Sequence, residues 1–123
     1  DKLSYEKNAE EIRLCGQLVE TLCGVKPSLF APPSGAYSED TVNAAAALGY
    51  KVILWSKDTI DWRDHDRTLI YRRATENACG GDLVLAHPTA ETAAALPSVL
   101  ARYEETRLEQ VPVSVNISGV EKA

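Results

Sequence analysis

The chain has 123 residues, 45% of them hydrophobic and 25% charged, which suits one globular domain with a modest core. Its 13 basic and 18 acidic residues leave a net charge of -5, and the basic residues are scattered, which argues against a nucleic-acid surface. No apolar run is long enough for a membrane span, and Cys15, Cys23 and Cys79 show neither a CxxC pair nor metal-ligand spacing.

Ser4 is placed to cap a first helix. Ile12, Cys15, Leu18, Val19 and Leu22 follow helical spacing as a core face, and Gly24 is placed as a left-handed terminator. Residues 28–31 read as a short strand that runs into Pro32-Pro33-Ser34-Gly35-Ala36-Tyr37. The prolines hold that backbone extended and Gly35 permits a turn with positive φ. Such a stiff loop is either a place to aim backbone N–H groups at a ligand or an ordinary strand-to-helix turn.

Ser38 caps the second predicted helix, with Val42, Ala45 and Ala46 on its packed face and Gly49 at its end. Residues 50–55 read as the next strand, with Val52-Ile53-Leu54-Trp55 as a buried run. The loop 56–66 follows, the most polar of the chain. Its aspartates and His65 have neither helical His spacing nor the glycine of a calcium loop, so a solvated loop whose Asp66 caps the next helix is the simpler reading. Asp61 and Trp62 stand out within it. Leu69, Ile70, Ala74 and Ala78 mark a third helix with Arg72 and Arg73 facing out, terminated by Gly80-Gly81.

Residues 82–86 are a short apolar strand that delivers His87 at its C-terminal end, where Pro88 keeps His87 extended. In α/β proteins that end of a strand carries ligands and chemistry, against the competing reading of a satisfied core histidine. Thr92, Ala95, Leu96, Val99, Leu100 and Tyr103 repeat as a helix, with Pro97 either opening it or kinking it. Val111, Val113, Val115 and Ile117 alternate with polar residues as a final edge strand near 112–116. The order predicts an α/β fold with parallel strands, and all three loops of interest follow strands.

Three stretches carry a family resemblance. Phe30-Ala31-Pro32-Pro33-Ser34-Gly35-Ala36-Tyr37, Asp58-Thr59-Ile60-Asp61-Trp62 and Leu83-Val84-Leu85-Ala86-His87 resemble the last three of the five motifs of polysaccharide deacetylases, the NodB-homology family. The likeness runs from about Leu3 to Ser118, and Leu83 to Thr89 with Thr92 and Ala95-Leu96-Pro97 looks most like the sporulation-associated branch. The resemblance implies part of a distorted (β/α) barrel with its N-terminal half missing, residues 1–123 forming one unit. The implied activity is removal of acetyl groups from N-acetylated sugars of chitin or peptidoglycan, outside the cell or in its envelope.

By that resemblance His87 is the general acid and Asp61 the carboxylate that holds it charged and oriented. Leu85 lines the pocket for the acetyl methyl, Trp62 walls the sugar groove, Pro33 belongs to the substrate-binding residues and the Ser34 N–H serves the oxyanion. The family's divalent metal and catalytic base come from two motifs absent here. This fragment is therefore expected to bind no catalytic metal, and to associate with the missing half or with another chain. The chain starts at Asp1 without methionine, as a processed product or fragment does, and Ala31 stands where the family motif has an arginine. The alternative implied by those departures is a non-catalytic carbohydrate-binding or envelope protein.

Overall fold

The computed structural model describes residues 1–119, which form two compact units, one over Asp1–Leu54 and one from Trp55 onward.

In the first unit, helix α1 (Tyr5–Cys23) begins where Ser4 Oγ accepts the Lys7 N–H at 3.2 Å. It ends at Gly24, whose φ of 71° turns its N–H back onto the Glu20 carbonyl at 2.8 Å. Strands β1 (Leu29–Phe30) and β2 (Lys51–Val52) pair in parallel, Leu29 opposite Lys51 and Phe30 opposite Val52. Helix α2 (Glu39–Ala47) crosses between them and starts in a capping box formed by Ser38 and Thr41.

Helices α1 and α2 pack together, and their buried residues are few: Asn8, Ile12 and Gly16 on α1, Thr41, Ala44 and Ala45 on α2. The Asn8 amide is satisfied by the carbonyls of Leu3 and Ser4 at 2.9 and 3.0 Å. Gly16 permits a close approach, because a Cβ there would lie 2.0 Å from the Tyr50 hydroxyl. The core face expected on α1 is mostly not core: Ile12 is buried, but Leu18 and Leu22 are 59% and 75% exposed. The packed strip runs through positions 8, 12 and 16, and nothing within this unit covers the flank that carries Leu18 and Leu22.

The second unit repeats the parallel pattern. Strands β3 (Lys57–Asp58) and β4 (Val84–Leu85) pair with Lys57 opposite Val84 and Asp58 opposite Leu85. Between them lies α3 (Arg67–Thr75), capped by Asp66 Oδ1, which accepts from Thr68 and Leu69 at 2.9 and 3.2 Å. Helix α4 (Ala90–Glu105) follows β4 and packs on α3. Ile70, Ala74, Ala95 and Val99 are the buried apolar residues among those described in this unit, and the Tyr103 hydroxyl reaches across to the Ala74 carbonyl at 2.6 Å. Pro97 lies inside α4 rather than opening it, removing one backbone donor from the helix interior.

Four expectations are corrected here. The apolar run 50–55 divides: only Lys51–Val52 is strand, and pairing resumes as β3 inside the stretch read as an irregular loop. The run 82–86 is strand only at Val84–Leu85. Helix α3 stops at Thr75, with Asn77 at φ 55°, ahead of Gly80-Gly81. The expected last strand is instead helix α5 (Val113–Gly119). Alternating valines need a partner strand to become a ladder. Lacking one among the described residues, this segment closes local bonds, with Val115 and Asn116 both donating to the Pro112 carbonyl at 3.0 Å. Pro112 suits the start of a helix, because a missing N–H costs nothing there.

Candidate functional site

The register of β3 and β4 builds the site. In a parallel pair the residues that follow each strand emerge side by side. Asp61 lies three positions past Asp58, and His87 lies two past its partner Leu85. Thr59 fixes this exit, its N–H and hydroxyl both donating to the Leu85 carbonyl at 3.2 and 2.9 Å. Ile60 then takes φ 52°, a conformation that β-branched residues rarely adopt. Asp58 supports it by accepting the Ile60 N–H at 2.9 Å, and the chain turns so that Asp61 points inward.

Asp61 is fully buried, 0% exposed, and satisfied on both carboxylate oxygens. Its Oδ2 accepts the His87 backbone N–H at 2.5 Å and the Thr92 hydroxyl at 2.7 Å, and its Oδ1 meets His87 Nδ1 at 2.8 Å. Burial alone would push this carboxyl up. The His87 N–H, the Thr92 hydroxyl and the His87 ring outweigh it and lower the pKa to about 2, below the usual 3.8. Asp61 is therefore an anion that only accepts, so the proton on the shared bond belongs to His87 Nδ1. That leaves Nε2 as the nitrogen free for chemistry, on a side chain 44% exposed.

The sequence candidates fall as follows. His87 and Asp61 are in contact. Leu85 is half-buried on β4, two residues before His87. Trp62, next to Asp61, is 59% exposed. Pro33 and Ser34 belong to the first unit, in a single 3₁₀ turn over Pro33–Gly35. Gly35 has the expected positive φ of 68°, and Ser34 shares it at 59°. The turn closes through the Gly35 and Ala36 N–H groups onto Pro32 and Pro33, which leaves the Ser34 N–H outside that turn. Both residues line a cavity of about 700 Å³ in the first unit, with Ile12, Leu29, Phe30 and Tyr50 among its apolar walls.

Sequence reasoning missed three supports. Arg73, expected to face out, turns inward, donating to the Thr59 carbonyl at 3.1 Å and pairing with Asp64 at 2.8 Å. Thr92, part of the helical stripe in the sequence, binds Asp61 instead. Ile60 carries no sequence signal for its left-handed backbone, since that position ordinarily favours glycine or asparagine.

The sequence profile described as "Polysaccharide deacetylase" matches residues 1–53. The chain is 30% identical over 104 residues to the uncharacterized protein YlxY of Bacillus subtilis, covering 85% of this chain and 33% of that one. It is 33% identical over 95 residues to a peptidoglycan-N-acetylglucosamine deacetylase of Bacillus cereus, covering 72% of this chain and 45% of the relative. Its structure superposes on a CE4 family pseudoenzyme from Bacillus anthracis with a TM-score of 0.84 and 28% identity, covering 89% of this chain and 39% of that one. Over the part of the domain it covers, the chain is similar in sequence and fold to the polysaccharide deacetylase family.

Over the part it covers it has the fold of the CE4 (β/α) barrels. It spans less than half the length of each of those three proteins. CE4 deacetylases are generally metal-dependent. The described residues do not fit such a metal, since no three His, Cys, Asp or Glu side chains among them gather as ligands. Among the described residues no helix is long and apolar enough to cross a membrane.

Proposed function

We propose that the whole protein removes N-acetyl groups from an N-acetylglucosamine-type polysaccharide, peptidoglycan or chitin, in a metal-dependent reaction outside the cell or in its envelope. Residues 1–123 alone would not turn substrate over, because no three metal-ligating side chains gather among the described residues. The observation that carries the reading is the contact of buried, anionic Asp61 with His87 Nδ1 at 2.8 Å.

In this reading His87 donates a proton from Nε2 to the nitrogen of the departing sugar amine as the amide bond breaks. Asp61 fixes the tautomer and stabilises the imidazolium before that transfer. The Ser34 N–H stabilises the oxyanion of the tetrahedral intermediate, and Pro33 beside it contacts substrate. Leu85 receives the acetyl methyl and Trp62 offers an aromatic wall to the sugar.

His87→Ala in the whole protein is expected to lower deacetylation of an N-acetylglucosamine oligomer by roughly a hundredfold or more while leaving metal content unchanged. Turnover equal to wild type would remove His87 from the mechanism. A second reading, a non-catalytic carbohydrate-binding protein, draws on Ala31 at the family's arginine position and on the likeness to a CE4 pseudoenzyme. It predicts oligosaccharide binding by the whole protein with no release of acetate.

A further inference from the structure

Thr92 stands in the first turn of α4, and its hydroxyl carries a single proton. Asp61 is an anion, so that proton goes to Asp61 Oδ2 at 2.7 Å. The Thr92 oxygen also lies 2.7 Å from Thr89 Oγ1, and with its own proton committed it must accept there. Thr89 Oγ1 in turn accepts the Thr92 backbone N–H at 3.1 Å, the cap of α4. The protons thus run one way, from Thr89 to Thr92 to Asp61, and the His87 N–H and ring complete the carboxylate's shell.

We infer that Thr92 is a positioning residue: its hydroxyl, oriented by the Thr89 cap, locks the Asp61 carboxylate in the rotamer that presents Oδ1 to His87 Nδ1. This deepens the deacetylase reading and rests on it for its catalytic consequence. The locking itself rests on the hydrogen bonds alone. His87 is the titratable group that faces the carboxylate, and Thr92 its neutral partner. From α3, Arg73 is turned instead to the Thr59 carbonyl and Asp64.

The test compares Thr92→Val with Thr92→Ser. In the 123-residue chain, NMR of the Asp61 carboxyl carbon is expected to show its pKa rise from about 2 towards 3.8 in Thr92→Val and stay low in Thr92→Ser. In the whole protein, kcat for an N-acetylglucosamine oligomer should fall roughly tenfold or more in Thr92→Val with KM unchanged, and Thr92→Ser should restore it. A merely structural role would shift stability and leave the Asp61 titration alone. An unchanged Asp61 titration in Thr92→Val, or a serine variant that fails to restore it, overturns the inference. If the wild-type whole protein releases no acetate, the deacetylase reading fails, while the Asp61 titration still decides the role of Thr92. Should Thr92→Val not fold, Thr92→Ala carries the same comparison, because the α4 cap uses only the backbone N–H of Thr92.

Discussion

Asp61 grips His87 at two points, its backbone N–H at 2.5 Å and its ring Nδ1 at 2.8 Å, although the two residues are 26 positions apart in the chain. The bond to the backbone fixes where His87 sits, and the bond to the ring fixes which way it faces. Both depend on the charge of Asp61, so both carry a pH signature.

The folded-state pKa of Asp61, about 2, lies below its ordinary 3.8. A depressed carboxyl contributes stability that is present in full above the unfolded value and lost as pH falls through the folded one. That contribution is about 2 kcal/mol at neutral pH. Asp61→Asn should therefore be less stable than wild type at pH 7 by an amount of that order, and the gap should close between about pH 4 and pH 2. Urea unfolding at a series of pH values measures it, and a gap constant down to pH 2 would contradict the assignment.

Arg73 ties α3 to the turn that carries Asp61, through the Thr59 carbonyl at 3.1 Å and Asp64 at 2.8 Å. Arg73→Met keeps much of the side-chain packing and removes the donors. One lost hydrogen bond corresponds to roughly a fivefold to tenfold rise in local opening. Hydrogen exchange at the Arg63 and Asp64 amides, which bond to the Ile60 carbonyl, should accelerate by that factor while the interior of α4 keeps its protection.

Trp62 is 59% exposed and its removal should leave the fold nearly unchanged, within about 0.5 kcal/mol. In the whole protein Trp62→Ala should raise KM for a longer oligosaccharide by roughly fivefold, the worth of one aromatic wall of about 1 kcal/mol. Equal KM values would place the sugar groove elsewhere.

Ile70 is 2% exposed at the α3–α4 contact. Ile70→Ala should cost about 2–5 kcal/mol, a large fraction of a small domain's stability. Chemical denaturation should show the midpoint fall, and a loss under about 1 kcal/mol would mean that this contact is not the core of the second unit.

Helix starts were legible in the sequence because capping is local. Ser4, Ser38 and Asp66 each bond to an N–H within three residues, so the spacing of side chain and helix is already a geometry. Gly24 and Gly35 announced their positive φ for the same reason. Both partners of the Asp61–His87 contact were legible too, because motifs in chain order carry long-range information that propensity does not. Only the tertiary structure decided the rest. The valines of 111–117 alternate as a strand does, yet alternation becomes a strand only beside a partner, and this segment makes a helix. Leu18 and Leu22 share the helical spacing of Ile12, but burial depends on what lies opposite, and α2 covers the strip through Ile12. Arg73 and Thr92 gained their roles from bonds to Thr59 and Asp61, 14 and 31 positions away, where no local signal reaches.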